Sequence, residues 1–216
     1  MDGVRSAERI AEVVLAQDAD IVCLQEVHQR LPQSGFQDQP KQFEKHLGLP
    51  VTFQANLRLG PLGGYGLAVA SRYPVGTVHN HLLPSVREQR GVLEVRLDTP
   101  TGPIVIFCTH FGLSGEERVK QSAGLAALVQ AASYPVLVCG DFNERPDAPA
   151  IRALLSQTGL ADADAERNRW TYPTNALEAR IDYLFHSPPL VCQSVSVIET
   201  QASDHLPVVG VFQTMP

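Results

Sequence analysis

The sequence predicts an α+β fold in which two packed β-sheets carry helices on their outer faces, and three observations lead there. Many short apolar runs alternate at a period of two residues between Gly and Pro signals, which is the pattern of strands. Segments with helical periodicity are few and widely spaced. The stretch Val136 to Cys139, bracketed by Pro135 and a Gly-Asp pair, is apolar on both faces, as a strand covered on both sides must be. Such sheets bury their apolar faces against one another and against helices, giving a layered α/β sandwich.

Ala7, Ile10, Ala11 and Val14 recur at helical spacing between charged residues, so an amphipathic helix is predicted from about Val4 to Gln17. A strand follows over Asp20 to Gln25. After a polar, Pro-containing loop, Gln39 to Leu47 reads as a short helix ended by Gly48 and Pro50. The runs VTFQANL, GLAVAS, VGTVHNHL, GVLEVRL and PIVIFCTH then predict successive strands of a largely antiparallel sheet. Ser114-Gly115-Glu116-Glu117 has the spacing of a capping box, opening a helix that runs to about Ala132. PVLVCGDFN is the buried strand, and a helix is expected to start near Asp147 and Pro149, where Pro suits the first turn. Beyond an irregular stretch around Trp170, the runs IDYLFH, VCQSVSVI and LPVVGVF complete the strands.

At 216 residues the chain can bury one sizeable core and shows no linker, so residues 1–216 are expected to form a single domain. Hydrophobic residues at 44% against 19% charged place it among folded globular chains rather than disordered ones. The net charge of −6 argues against a broad basic surface for holding nucleic acid, although a nucleic-acid substrate stays compatible with it. Cys23, Cys108, Cys139 and Cys192 show no paired spacing, so reduced thiols are expected. No stretch approaches the roughly 20 apolar residues that span a bilayer, and the first residues lack a signal-peptide pattern. A cytoplasmic location with no transmembrane segment and no protein partner is the resulting expectation.

The chemistry gathers at strand ends. VCLQE ends at Glu26, FCTH at His110 and VCGDFN at Asp141 and Asn143, Asp182 opens IDYLF, and Ser203-Asp204-His205 precedes LPVVGVF. Any one of these has a structural explanation, since Gly-Asp and Asn-Glu pairs make turns. Together they place carboxylates at one rim, where two of them 4 Å apart repel by about 4 kcal/mol at an effective dielectric near 20. A divalent ion with oxygen ligands offsets that repulsion, and Mg²⁺ or Mn²⁺ suits it better than zinc, because neither His-Glu-x-x-His nor paired Cys occurs. The absence of Gly-x-Ser-x-Gly argues against a serine hydrolase.

With LQEV at Leu24 to Val27, Thr109-His110, GDFN at Gly140 to Asn143, RIDYLF at Arg180 to Phe185 and SDHLPV at Ser203 to Val208, the chain resembles the endonuclease/exonuclease/phosphatase superfamily across nearly its whole length. The resemblance implies a four-layer α/β/β/α sandwich of two mixed sheets with outer helices, and a site at one rim. It implies a phosphodiesterase or nuclease type of hydrolase, acting by direct attack of activated water on a phosphoester: nucleic acid, phospholipid head group or small phosphodiester. By the same resemblance Glu26 and Asp204 serve the metal, Mg²⁺ or Mn²⁺, and Asp141 orients or deprotonates the water. Asn143 and His205 contact phosphate, Asp182 holds His205, and His110 is a second candidate for phosphate contact or proton transfer. Tyr65, in GGYG, is expected in a hairpin turn and facing the site.

Other features point elsewhere. His79 and His81 share one strand face but lack further ligands, and are expected to be exposed strand histidines. Trp170 is expected at the core or its edge, with Trp170 and Tyr172 lining a substrate cleft as the alternative. The family begins with a strand carrying a site Asn, whereas here Met1-Asp2-Gly3 leads directly into the helix. The expectation is therefore a missing strand plus loop of roughly 10 to 15 residues, a gap in one sheet, one ligand fewer, and the alternative of a catalytically impaired binding or scaffold protein.

Overall fold

The computed structural model describes residues 6–60 and 63–215, so the expected lead-in Met1-Asp2-Gly3 and the start of the helix at Val4 lie outside the described residues. The elements are α1 (Ala7–Leu15), β1 (Ile21–Gln29), α2 (Gln39–Leu47), β2 (Val51–Leu59), β3 (Gly63–Ser71), β4 (Val75–Leu82), β5 (Gly91–Thr99) and β6 (Gly102–His110). They continue with α3 (Gly115–Ala131), β7 (Val136–Asp141), α4 (Pro149–Thr158), β8 (Ala161–Asp162), β9 (Asp182–His186), β10 (Leu190–Val197) and β11 (Val208–Thr214).

Helix ends follow local chemistry. The Ser6 side chain accepts from the Arg9 amide to start α1, Pro149 occupies the first turn of α4, and Gly48 and Gly159 close α2 and α4 in the left-handed conformation. The capping box expected at Ser114 does not form. Ser114 makes no side-chain cap hydrogen bond, because Glu117 is drawn to the Val86 amide at 2.5 Å and ties α3 to the 83–90 loop.

A six-stranded sheet runs β4-β5-β6-β7-β9-β8, a three-stranded sheet β1-β3-β2, and a two-stranded one β10-β11. Only β6 and β7 pair in parallel among the named strands, and α3 supplies the crossover that parallel strands require. The strand runs from Val51 to His110 do not share one sheet, as their succession predicted. β3 is already flanked on both edges by β1 and β2, so β4 cannot pair with the strand before it and starts the larger sheet.

Three apolar clusters separate four layers. α3 and α4 pack Leu125, Val129, Ile151 and Leu154 onto Phe107, Val138 and Phe185 of the six-stranded sheet. Its other face joins Leu93, Ile106 and Leu137 to Leu67 and Val69 of β3. α1 and α2 cover the far side through Ala11, Phe43, Val22 and Ala70. The result is the α/β/β/α sandwich, with β1 lying against β6 and β7 and β11 against β9. One edge of β1 and one of β11 have no strand partner among the described residues.

The GGYG segment is strand, not turn. Gly64 to Gly66 pair with both β1 and β2, next to a register shift in each, and a Cβ on Gly66 would sit 2.0 Å from the Gln54 carbonyl oxygen. Bare backbone is what allows the bulged neighbours to close in. All four cysteines are free thiols, and among the described residues no helix is long and apolar enough to cross a membrane.

Candidate active site

Register alone builds the centre of the site. Parallel pairing puts His110 of β6 beside Asp141 of β7, and antiparallel pairing puts Asp141 beside Asp182 of β9. Side chains alternate along a strand, so these three leave the sheet on the same face as Cys108 and Cys139, towards the smaller sheets.

Two site residues hold backbone that non-glycine residues rarely adopt. Glu26 has φ 57 where the β1–β3 register shifts between Leu24 and Val27, and Asn143 has φ 48 in the turn after β7. Each such position costs about 1–3 kcal/mol. The Asn143 turn is held by its amide donating to Asp141 Oδ1 at 2.7 Å and by its Nδ2 donating to the Phe111 carbonyl at 3.0 Å. Beneath it Phe142 is fully buried against Phe111, Tyr183 and Phe185, with ring centroids 4.6 to 5.4 Å apart.

Asp182 accepts from His205 Nδ1 at 2.9 Å and from Thr171 Oγ1 at 2.5 Å. His205 Nε2 lies 3.9 Å from Asp141 Oδ2, and the Tyr172 ring packs on the His205 ring at 4.6 Å. His110 Nε2 lies 3.4 Å from the same Asp141 oxygen.

Burial works on all three titratable groups, with different outcomes. For His205 it acts downward, but the hydrogen bond and charge of Asp182, then the charges of Asp141 and Asp204, outweigh it and lift the imidazole to about 9. For His110 burial, then the positive charges of Arg90 and His205, push the ring down to about 3. With these shifts the first ring carries charge near neutrality and the second is a neutral donor or acceptor. Asp141 is raised to about 7 by burial first and Asp182 next, partly relieved by His205 and the Asn143 amide, with Glu26 raising it further.

Asp141, Asp182 and His205 each offer an atom within 4.8 Å of the others, the one grouping among the described residues that could hold a metal ion. Asp182 and His205 are already committed to each other, and a protonated imidazole has no lone pair for a metal. Glu26 and Asp204, expected as ligands, stand apart from that trio, and both are exposed. Glu26 nonetheless acts electrostatically on Asp141, as Asp204 does on His205. Tyr65 lies on β3 opposite His28 of β1, and burial, then the charges of Glu26 and Glu88, raise its pKa.

His79 and His81 lie on β4, outside this cluster, with His81 Nε2 2.6 Å from Glu94 across the ladder. Trp170 is not core. Half exposed, it borders a cavity of about 240 Å³ with Arg145, Pro146, Asp147, Asn168 and Arg180.

Sequence reasoning missed Thr171, Glu88 and Arg90. Thr171 is set against Asp182 only by the fold. Glu88 and Arg90 sit in a polar stretch, REQR, whose single hint is its position immediately before the strand that pairs with β6.

The sequence profile of the Endonuclease/Exonuclease/phosphatase family matches residues 2–205. The protein YbhP of Escherichia coli is 36% identical over 192 residues, spanning 82% of this chain and 75% of YbhP. Among solved structures, an endonuclease/exonuclease/phosphatase from Beutenbergia cavernae superposes with a TM-score of 0.80 at 26% identity, over 98% of this chain and 67% of that one. A mannosyl-6-phosphatase from Bacteroides thetaiotaomicron shares the fold at a TM-score of 0.79 and 20% identity, over 96% and 90% of the two chains.

Proposed function

The chain belongs to the endonuclease/exonuclease/phosphatase family, whose members are phosphoester hydrolases, and from that premise we propose that it hydrolyses a phosphodiester by direct attack of water with a divalent metal bound. The observation that carries this reading is the His110, Asp141, Asp182 row with His205 held on Asp182.

Asp141 accepts the proton of the attacking water, a role suited to a carboxyl poised at about 7. The new bond forms between the water oxygen and phosphorus as the bond to the departing alkoxide breaks, and that oxygen takes up a proton. Asn143 and His110 offer neutral N–H donors, and His205 a charged one, to the phosphoryl oxygens as negative charge builds there. Asp182 keeps His205 protonated, with Thr171 fixing the carboxylate.

The crowding of Asp141 by Asp182 and Glu26 fits a site completed by a hard cation. Glu26 and Asp204 would hold Mg²⁺ or Mn²⁺, which supplies positive charge to polarise the phosphoryl group and steady the leaving oxygen. The net charge of −6 supports a small or lipid-derived phosphodiester, or a nucleic-acid end held locally, over a long duplex.

Release of nitrophenol from bis(p-nitrophenyl) phosphate with Mg²⁺ or Mn²⁺ tests the reading. Asp141→Ala is expected to abolish turnover, and equal rates in parent and variant would sink the mechanism. Residues 1–216 form one domain in this reading, consistent with the family profile running over residues 2–205.

A further inference from the structure

Arg90 is a buried cation with an unusual neighbour. It precedes Gly91, which pairs with His110 across β5 and β6, and its side chain is almost wholly enclosed. The loop before it is fixed by the Arg90 amide donating to Ser85 Oγ at 3.0 Å and by Gln89 Nε2 donating to the carbonyls of Leu83 and Arg90 at 2.7 and 2.8 Å. From there Arg90 Nη1 reaches His110 Nδ1 at 2.8 Å and Glu88 Oε1 at 2.6 Å.

A guanidinium has only donors and keeps its charge at all working pH values. Nδ1 of His110 must therefore be the acceptor of that contact. A proton on Nδ1 would set two donors and two positive charges face to face. The single N–H of the neutral ring then sits on Nε2. That assignment changes the meaning of the 3.2 Å separation between His110 Nε2 and Asn143 Nδ2. Asn143 cannot turn its amide over, because Nδ2 is already donating to the Phe111 carbonyl. Two N–H donors thus stand 3.2 Å apart, with Asp141 Oδ2 3.4 Å from Nε2, and a single oxygen entering beside them can accept from both.

We propose that Arg90 is a positioning residue that holds His110 in its Nε2–H form, so that His110 and Asn143 present a paired donor site to one phosphoryl oxygen. The identity of that oxygen rests on the phosphodiesterase reading; the tautomer does not. Glu88 serves the same arrangement as the counter-charge that lets a guanidinium stay buried beside a neutral ring. Glu88 and Glu26 both act on Tyr65 as nearby charges, so the acidic side of this arrangement extends to the bulge of β1.

The ¹⁵N spectrum of histidine-labelled protein reads the tautomer directly, with the His110 signals assigned by their loss in His110→Gln. A bare Nδ1 and a protonated Nε2 are expected, and titration with inorganic phosphate is expected to shift Nε2 and the Asn143 side-chain amide together. A protonated Nδ1 in the parent overturns the proposal whatever the activity. Arg90→Met is expected to lose the Nε2–H form and to lower kcat on bis(p-nitrophenyl) phosphate by about a hundredfold, the lower end of what removing an oxyanion donor costs, while KM changes less than about threefold. Arg90→Lys, which keeps a donor-only cation at the position, is expected to retain the tautomer and most of kcat. It also tests the role if the Met variant does not fold. Parent-like kcat in a folded Met variant, or collapse of kcat in a Lys variant that still shows Nε2–H, counts against Arg90 acting through the ring. A parent with no turnover but the expected tautomer would count against the hydrolase reading alone.

Discussion

Asp182 grips His205 at Nδ1, 2.9 Å away, while its remaining contact, Thr171 Oγ1 at 2.5 Å, prevents the carboxylate from turning. This pairing makes His205 a cation at neutral pH, so Asp182→Asn is expected to lower kcat by on the order of a hundredfold or more. The alkaline limb of the pH–rate profile, near pH 9 in the parent, is expected to move to lower pH, because the main groups lifting the His205 pKa to about 9 would be gone. An unmoved limb would mean that some other group titrates there. Thr171→Val is expected to give the same change at smaller amplitude.

Stability of the metal-free protein is expected to fall as pH rises from 5 to 9. Asp141 is raised from 3.8 to about 7 in the folded chain, so across that interval the folded state holds a proton that the unfolded state has released. His205 is raised from 6.5 to about 9, and its stabilising share is present below 6.5 and disappears as pH climbs through 9. Both groups act in the same direction, and His110, whose pKa is lowered to about 3, opposes them only below 6.5, where the unfolded ring takes up a proton that the folded one does not. Thermal unfolding in EDTA at pH 5 and pH 9 checks the sign, and a higher Tm at pH 9 would contradict it. Mg²⁺ is expected to narrow the difference by neutralising Asp141 electrostatically.

Phe142→Ala is expected to cost about 3–5 kcal/mol, the usual range for deleting a buried aromatic ring, because the ring fills the space under the Asn143 turn. Chemical denaturation measures the loss, and a loss below about 1 kcal/mol would mean that the aromatic cluster repacks.

Trp170→Ala is expected to leave stability within about 0.5 kcal/mol, as surface changes do, since half the residue is exposed. Its effect is expected in KM for substrates with a bulky leaving alcohol, because Trp170 borders the 240 Å³ cavity that begins two residues beyond Asn143, at Arg145. Identical KM values for bulky and minimal phosphodiesters in parent and variant would remove Trp170 from substrate contact.

Gly66→Ala is expected to damage the site from a distance. The added carbon would meet Gln54 O at 2.0 Å and Ala55 Cα at 2.8 Å, so β2 and β3 must part where β1 bulges around Glu26. The measurement is metal affinity alongside Tm: a drop in both is expected, and unchanged metal affinity would uncouple the glycine from Glu26.

The polar strand ends were legible because each borders an apolar run that reads as a strand, and that logic delivered Glu26, His110, Asp141, Asn143 and Asp182 as candidates. What one-dimensional spacing does not contain is partnership. Nothing in VCGDFN says that Asp141 stands between His110 and Asp182, since register is decided by which strands pair. For the same reason β2 and β3 looked continuous with β4, and GGYG looked like a turn, although its glycines answer to the close approach of Gln54. Arg90 was invisible because its meaning lies in the atom it faces, and Trp170 misled because its size suggests burial.

The His110, Asp141, Asp182 row has a dynamic corollary. The three residues sit on neighbouring strands joined by ladder hydrogen bonds in the middle of the six-stranded sheet, the class of structure that opens to solvent only when the whole domain unfolds. Amides around positions 109, 140 and 183 therefore belong with the slowest-exchanging in the molecule. His110, Asp141 and Asp182 are thereby held in one fixed register, and adaptation to different substrates falls to the loops around them, which carry Asn143 and His205.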